Sequence, residues 1–233
     1  ILPLSKSSKK IAVIGPNAAD EEMLWGNYNV TPIHTISILN GIKSKISESK
    51  IIYDKGCDLV EDKVTESYFS QLSFDGKPGF KATYWNNPSR EGNSVISQQI
   101  ASAIKKTTAG QHEFASGVKL EGFSALFQAE FTPKTTEELV FKGGATGYFE
   151  LLVNGEQLQM YNNWRTLPSR IAYKFEAGKK YIIEMRYAQL NNWQANIEID
   201  FGKEVDVDYT DLINKLKGIE TVVFVGGLSG KLE

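Results

Sequence analysis

Two patterns of hydrophobic and polar residues divide the chain. Near the N-terminus, residues 10–15 form a short apolar run rich in β-branched side chains and end in a Gly-Pro-Asn turn. This is typical of a buried parallel strand followed by a loop. Apolar residues at helical spacing predict a helix over 36–46, and residues 51–53 predict a second strand. Strand, helix and strand together indicate an α/β unit.

The C-terminal part of the chain repeats this pattern. Residues 209–216 predict an amphipathic helix capped by Asp208 or Thr210, and residues 221–225 predict another buried strand that leads into a glycine-rich turn. Neither α/β segment has enough strands to bury its own sheet. We therefore expect the two segments to pair, with Val13 and Val223 in one sheet.

The middle of the chain has the two-residue period of β-strands. Hairpin and turn signals such as Asn154-Gly155 separate the apolar runs, and mixed-polarity linkers are predicted over 60–77 and 203–208. The predicted strands cover residues 80–84, 124–131, 138–141, 148–153, 171–175, 181–187 and 195–201. The predicted fold class is therefore α/β plus all-β: a split α/β sandwich fragment with an inserted antiparallel β-sandwich domain.

Composition narrows the possible partners. The 233 residues are 41% hydrophobic and 23% charged, as in ordinary soluble globular proteins, and the net charge of −2 provides no basic field for nucleic acid. No apolar run approaches the roughly 20 residues that span a bilayer. The single cysteine, Cys57, cannot form an internal disulfide. Because the sequence opens without an apolar signal core and stops just after a glycine-rich turn, we expect it to be an excised piece of a longer protein.

Several short motifs occur in an order that resembles the second domain of family-three glycoside hydrolases, especially the β-glucosidase and β-xylosidase branch. These motifs lie at residues 10–18, 24–29, 38–42, 56–58 and 222–233. The middle of the chain is similar to the protective-antigen domain, which is known as an insertion in this family, through residues 84–88, 149–155, 176–181 and 196–199. The resemblance implies that segments 1–63 and 206–233 belong to the glycosidase α/β sandwich and that 64–205 is the inserted β-sandwich.

The family resemblance also implies a catalytic role for the last residue. Family members hydrolyse glycosides with retention through two carboxylates, a nucleophile and an acid/base group. The nucleophile is an aspartate on a preceding barrel domain, which this sequence lacks. The acid/base glutamate lies on the glycine-rich loop, where the matching position is Glu233. The alternative is that Glu233 is a solvated loop residue.

Aromatic residues in Gly- and Asn-containing loops are the candidate sugar contacts. Trp25 and Tyr28 either stack on a sugar face or lock the interface with the barrel domain. Trp164 with Arg165, and Trp193, lie in two Asn-rich loops whose composition is typical of carbohydrate-binding surfaces. For Trp164 the favoured interpretation is a side chain tucked under its own loop.

The sequence predicts neither a metal nor another cofactor. Some lectin-like members of the protective-antigen family bind sugar through calcium held by paired aspartates, but the matching residues here are Ala145, Thr146 and Gly147. Hard Ca²⁺ requires anionic oxygen ligands. His34 and His112 also lack a Cys or His partner at metal-ligand spacing.

The resemblance implies a fragment of a retaining, exo-acting β-glucosidase or β-xylosidase that removes terminal sugars from β-linked oligosaccharides, with the insert shaping the pocket. Its expected partners are that oligosaccharide and the barrel domain of the same polypeptide, with no nucleic acid or membrane. The fragment alone should be inactive, and the whole enzyme is expected to be periplasmic or secreted. The alternatives are a non-catalytic carbohydrate-binding module and an insert that only mediates packing or dimerisation.

Overall fold

The computed structural model describes residues 10–24, 32–57, 63–166, 169–190 and 194–228. Within these ranges the chain is predominantly β-structure arranged in several sheets. In chain order the strands are β1 (Ile11–Ile14), β2 (Ile51–Asp54), β3 (Lys63–Ser67), β4 (Ser73–Phe74), β5 (Lys77–Pro78), β6 (Phe80–Trp85), β7 (Ile96–Ile100), β8 (Ile104–Thr107), β9 (Ser124–Phe131), β10 (Glu137–Ala145), β11 (Gly147–Val153), β12 (Glu156–Asn163), β13 (Ser169–Phe175), β14 (Tyr181–Ala188), β15 (Asn196–Asp206) and β16 (Thr221–Phe224).

The two α-helices of the described residues are short. Helix α1 (Ile38–Lys43) begins at Ser37, whose Oγ accepts a hydrogen bond from the Asn40 backbone N–H at 3.2 Å. Helix α2 (Thr210–Leu216) follows Tyr209, which occupies the N-cap position without a side-chain capping hydrogen bond, and the Thr210 backbone N–H donates to Asp208 Oδ1 at 2.8 Å. Single turns of 3₁₀-helix cover Glu22–Leu24, Glu48–Lys50, Phe69–Gln71 and Ala109–Gln111. None of the described helices is long and apolar enough to cross a membrane.

The chain forms two compact units, one made of residues 1–64 and 205–233 and the other of residues 65–204. The first unit contains a three-stranded parallel sheet in the order β16-β1-β2. Val13 pairs with Val223 of β16 and with Tyr53 of β2, so the prediction that Val13 and Val223 share a sheet is confirmed. One face of this sheet is covered by α1, with Leu39 buried in a small core beside Val13.

The second unit contains two antiparallel sheets. The order of the five-stranded sheet is β13-β10-β15-β3, with β8 also paired to β15. The eight-stranded sheet follows the order β12-β11-β14-β9-β4-β5, with β6 paired to β9 and β7 paired to β6. Buried side chains from both sheets form one aromatic core, in which the ring of Phe131 lies 5.2 Å from that of Phe175 and 5.3 Å from that of Phe201.

The strongest hairpin signal of the sequence joins β11 to β12. Asn154 and Gly155 adopt φ values of 51° and 81°, as the tight hairpin turn of an Asn-Gly pair requires. The Asn154 Oδ1 also accepts a hydrogen bond from the Ile182 backbone N–H at 2.8 Å, which ties the turn to β14. The predicted turn position is therefore confirmed.

The predicted linkers are wrong over much of their length. Residues 60–77 contain β3 and the short strand β4, and β15 continues through 203–206. The sequence hides β3 because its residues are mostly exposed and show no apolar alternation. β3 is a strand because its main chain pairs with that of β15. The two strands lie so close together that a Cβ at Gly202 of β15 would overlap the Glu66 carbonyl oxygen.

Candidate functional site

The carboxyl ends of the three parallel strands of the first unit meet at one edge. β1 ends at Ile14 and continues into Gly15, β2 ends at Asp54, and β16 ends at Phe224. In open sheets with parallel strands, ligands and catalytic groups lie beyond this edge, because the loops that leave the strands there converge. We therefore treat this edge as the candidate site.

Main-chain hydrogen bonds fasten the loops of this edge to one another. The Val225 N–H donates to the Ile14 carbonyl at 2.7 Å, and the Asn17 N–H donates to the Val225 carbonyl at 3.2 Å. Gly15 makes this approach possible: its φ is 118°, and a Cβ there would overlap the Val225 carbonyl oxygen. The segment after β16 is thus held against the segment after β1.

Asn17 extends this attachment into the glycine-rich turn. Its side chain is almost fully buried, at 1% exposure, and its Nδ2 donates a hydrogen bond to the Gly227 carbonyl at 2.9 Å. Because that carbonyl can only accept, the orientation of the amide is fixed. The Asn17 Oδ1 is also buried and has no hydrogen-bond partner among the described residues.

The hydrogen bond from the Asn17 side chain acts locally, on the segment that follows β16. A typical hydrogen bond contributes about 0.5–1.5 kcal/mol to folding. What the amide provides is a fixed position for Gly227, where the chain leaves the sheet.

Asp54, the last residue of β2, places a carboxylate at this edge. Its Oδ2 accepts a hydrogen bond from Lys215 Nζ at 2.8 Å, and this bond holds the pKa of Asp54 below its ordinary value of 3.8. The pKa of Lys215 is raised by the same bond. A general acid works best with a pKa near the working pH, so Asp54 does not suit that role. Both residues line a cleft of about 310 Å³ in the first unit.

Sequence comparison identifies the family. The family model described as "Glycosyl hydrolase family 3 C-terminal domain" matches residues 1–227. The chain belongs to this family. Family 3 membership makes it part of a group of glycoside hydrolases, in agreement with the resemblance found in its motifs.

Relatives of this family 3 chain include enzymes named for xylose and for glucose. It is 44% identical over 235 aligned positions to a xylan 1,4-β-xylosidase of Xylanibacter ruminicola, covering 100% of the chain and 27% of that protein. It is 29% identical over 175 positions to a β-glucosidase of Rhizobium radiobacter, covering 70% of the chain and 19% of that protein. A shorter match, 45% over 67 positions, joins 25% of the chain to 9% of a β-xylosidase of Formosa agariphila. The chain therefore spans less than a third of these relatives.

The fold of the family 3 chain is also found in a solved structure. A β-glucosidase of Kluyveromyces marxianus, crystallised in complex with glucose, matches with a TM-score of 0.51 and 19% sequence identity. The match covers 100% of this chain and 30% of that protein. At this level of identity the similarity concerns the fold alone.

Four of the six site residues predicted from the sequence lie outside the described residues. They are Trp25, Tyr28, Trp193 and Glu233. Their roles as sugar contacts and as the acid/base group stay predictions. The structure brings two predicted site residues together, Trp164 and Arg165, in the second unit of the family 3 chain.

Trp164 follows β12 and is not tucked under its loop, so the favoured interpretation of this residue is wrong. Its side chain is 55% exposed, and the Arg165 guanidinium carbon lies 4.2 Å from the centre of its ring. The backbone N–H of Arg165 donates to Asn163 Oδ1 at 3.3 Å. The cation–π contact covers part of the aromatic surface, and this replaces the burial that we expected from the loop.

The segment that the sequence predicts to match a calcium site, residues 145–147, forms the connection between β10 and β11. Thr146 is buried, and its Oγ1 accepts a hydrogen bond from the Asn196 backbone N–H at 2.8 Å. The backbone N–H of Ala145 donates to the Tyr161 hydroxyl at 2.8 Å. Across the described ranges, no group of three or more His, Cys, Asp or Glu residues could hold a metal ion.

Asn17 is the residue of the candidate site that sequence reasoning did not select. The Gly-Pro-Asn turn after the first strand indicated a loop, and the same residues contributed to the family motif. The available signal was a polar residue directly after a buried parallel strand. Its partner, Gly227, could not be identified without the tertiary structure, because 210 positions separate the two residues.

Proposed function

We propose that this chain is part of a retaining, exo-acting β-glycosidase and supplies the acid/base glutamate, Glu233, from the carboxyl edge of its parallel sheet. The observation that carries the proposal is the attachment of the turn after β16 to this edge, through the Asn17–Gly227 hydrogen bond. Glu233 follows that turn in the sequence. Family 3 membership supplies the reaction class.

The proposed substrate is a β-linked xylo-oligosaccharide, from which the enzyme removes the terminal xylose. This choice is supported by the relative named xylan 1,4-β-xylosidase, whose 44% identity extends over the whole chain. The relative named β-glucosidase shares 29% identity over 70% of the chain. Terminal glucose is therefore the alternative sugar.

The proposed mechanism requires a second carboxylate from the rest of the polypeptide. An aspartate of the barrel domain attacks the anomeric carbon, while Glu233 protonates the leaving oxygen and later deprotonates the attacking water. We do not assign the acid role to Asp54, because its Oδ2 is paired with Lys215 Nζ at 2.8 Å and this pairing lowers its pKa. Retaining hydrolysis requires two carboxylates that lie about 5–5.5 Å apart. Because we propose that the present chain supplies only one of them, the chain alone should not hydrolyse β-glycosides.

The proposed function also assigns each segment of the chain to a domain of the enzyme. Segments 1–63 and 206–233 are proposed to belong to the glycosidase α/β sandwich, and 64–205 to be a protective-antigen-type β-sandwich that shapes the substrate pocket. The two antiparallel sheets of residues 65–204 support this assignment. The whole enzyme is proposed to act outside the cytoplasm, in the periplasm or after secretion.

The acid/base assignment is tested in the complete enzyme with Glu233→Ala. Turnover of xylosides with poor leaving groups should fall by about 10²–10⁴-fold, the usual contribution of general acid–base catalysis. Activated aryl xylosides should lose less in their first step, because their leaving groups need little protonation. Added azide should restore turnover of the activated substrates and yield a β-glycosyl azide.

The matched control is Glu220→Ala. Glu220 is an exposed glutamate that directly precedes β16, so it lies at the end of this strand that is opposite to the glycine-rich turn. This variant should retain full activity on both substrate classes. If Glu233→Ala also leaves both classes unchanged, Glu233 is not the acid/base residue.

A second candidate function is direct carbohydrate binding by residues 65–204, and the exposure of Trp164 favours it. A half-exposed indole beside an arginine provides a flat apolar surface and hydrogen-bond donors, which suit a pyranose ring. Calorimetric titration of the chain with xylo-oligosaccharides should then show saturable binding that Trp164→Ala weakens about tenfold or more, as the loss of a hot-spot aromatic does. Met160→Ala, at a 50% exposed apolar residue of β12, is the control. Absence of binding by the unmodified chain would exclude this function.

A further inference from the structure

We infer that Asn17 is a positioning residue for the acid/base loop, which it holds at Gly227 from the neighbouring strand. This inference rests on the proposed role of Glu233. In this inference Asn17 does not contact the substrate; it acts by holding the loop that follows β16 in position. The hydrogen bond from Asn17 Nδ2 to the Gly227 carbonyl, at 2.9 Å, is the observation that carries it.

The segment after β16 is held at two successive points by the same residue. The Asn17 backbone N–H binds the Val225 carbonyl at 3.2 Å, and its side chain binds the Gly227 carbonyl. Asn17 itself is fixed, because it is buried and because Gly15 lets its loop contact Val225 directly. Together these contacts fix the direction in which the chain leaves the sheet.

The glycines of this turn give the contact its importance. Gly227 has a φ of 117°, which side chains other than glycine rarely adopt, and a Cβ at Gly226 would approach the Phe224 ring closely. Glycine permits this path but also leaves many other paths open. The Asn17 amide therefore selects one conformation at Gly226 and Gly227, which have no side chains of their own to anchor them.

The chemistry of the amide excludes a role as general acid or base. The amide of Asn17 does not titrate, so it cannot exchange a proton with substrate or water. Its side chain is almost fully buried, at 1% exposure. An effect of Asn17 on catalysis would therefore be transmitted through the loop that it holds.

The test is a double-mutant cycle in the complete enzyme, with Asn17→Ala and Glu233→Ala alone and combined. Asn17→Ala should lower kcat for poor leaving groups about 10–100-fold with little change in KM, since small misplacements of catalytic groups cost this much. The loss for activated aryl xylosides should be smaller. In the Glu233→Ala background, Asn17→Ala should have less than about a twofold further effect, because residues that act as one unit are not additive.

Asn17→Asp separates the hydrogen bond from packing. Aspartate has nearly the same shape and keeps an acceptor, but its ionised side chain cannot donate to the Gly227 carbonyl. We expect this variant to lose activity as Asn17→Ala does. The control is Asn40→Ala in the same unit, at an exposed amide that donates to Glu21 and lies on α1. That variant should keep the leaving-group dependence of the unmodified enzyme.

The outcomes distinguish the inference from the proposed function. Equal losses on both substrate classes, or additive losses in the Glu233→Ala background, would overturn the positioning role while leaving Glu233 as the acid/base residue. If Glu233→Ala has no effect on either class, the proposed function fails. If Asn17→Ala then still shows the leaving-group signature, Asn17 positions the loop for a different acidic residue.

Discussion

Val13 and Val223 are in-register partners in the adjacent parallel strands β1 and β16. Val13 is fully buried, and Val223 packs against the same small core as Leu39 of α1. The two residues come from opposite ends of the chain, so the sheet of the first unit is complete only when both terminal segments have met. The same pairing brings the turn after β16 to the loop that contains Asn17.

The contact between Gly15 and Val225 should make alanine costly at position 15. Gly15→Ala would place a side chain at a φ of 118°, where strain alone costs about 1–3 kcal/mol, and would also overlap the Val225 carbonyl oxygen. We expect its loss of unfolding free energy, measured by urea denaturation, to exceed that range. The control is Gly218→Ala, where φ is 76° but a Cβ meets no atom within 4 Å. Equal losses in the two variants would contradict the predicted backbone contact.

The pair Asp54–Lys215 should make stability depend on pH in the acid range. Because the lysine lowers the pKa of Asp54 in the folded state, the contribution is fully present above the ordinary value of 3.8 and is lost as the pH falls through the lowered pKa. Lys215→Met should therefore lower the melting temperature slightly at neutral pH, as expected for a partly exposed ion pair. The difference from the unmodified protein should disappear in strong acid.

Lys217→Met is the matched control for this pH dependence. Lys217 Nζ bonds to the neutral Asn214 Oδ1 at 2.7 Å and lies near the same end of α2. Its replacement should not change the acid dependence of the melting temperature. A Lys215→Met variant whose difference from the unmodified protein stays constant down to strong acid would refute the stabilising role of the pair.

The β-sheets of residues 65–204 should not depend on calcium. Thr146 is the central residue of the segment where the sequence resemblance would place calcium ligands, and its hydroxyl accepts a hydrogen bond from the Asn196 backbone N–H. A chelator should leave the melting temperature unchanged, because a metal that binds only the folded state would raise it by mass action. A drop of several degrees that added Ca²⁺ reverses would overturn this prediction.

The pattern of apolar residues by itself determined most of the secondary structure. Strand β9, for example, matches the predicted range 124–131, because alternating burial on one face of a sheet leaves a strong two-residue period. The Asn154-Gly155 turn was equally readable, since few residue pairs tolerate positive φ at both positions. Order and spacing of the motifs also sufficed to indicate the glycoside hydrolase family.

Only the tertiary structure decided which distant residues meet. β3 was missed because its side chains are largely exposed, and only its main-chain pairing with β15 makes it a strand. Trp164 was expected under its loop, but the contact with Arg165 replaces that burial. No local sequence pattern predicts the Asn17–Gly227 hydrogen bond, because an asparagine after a strand is typical of an ordinary turn. Its partner is set by the register of β1 and β16, which depends on packing across the whole unit rather than on neighbouring residues.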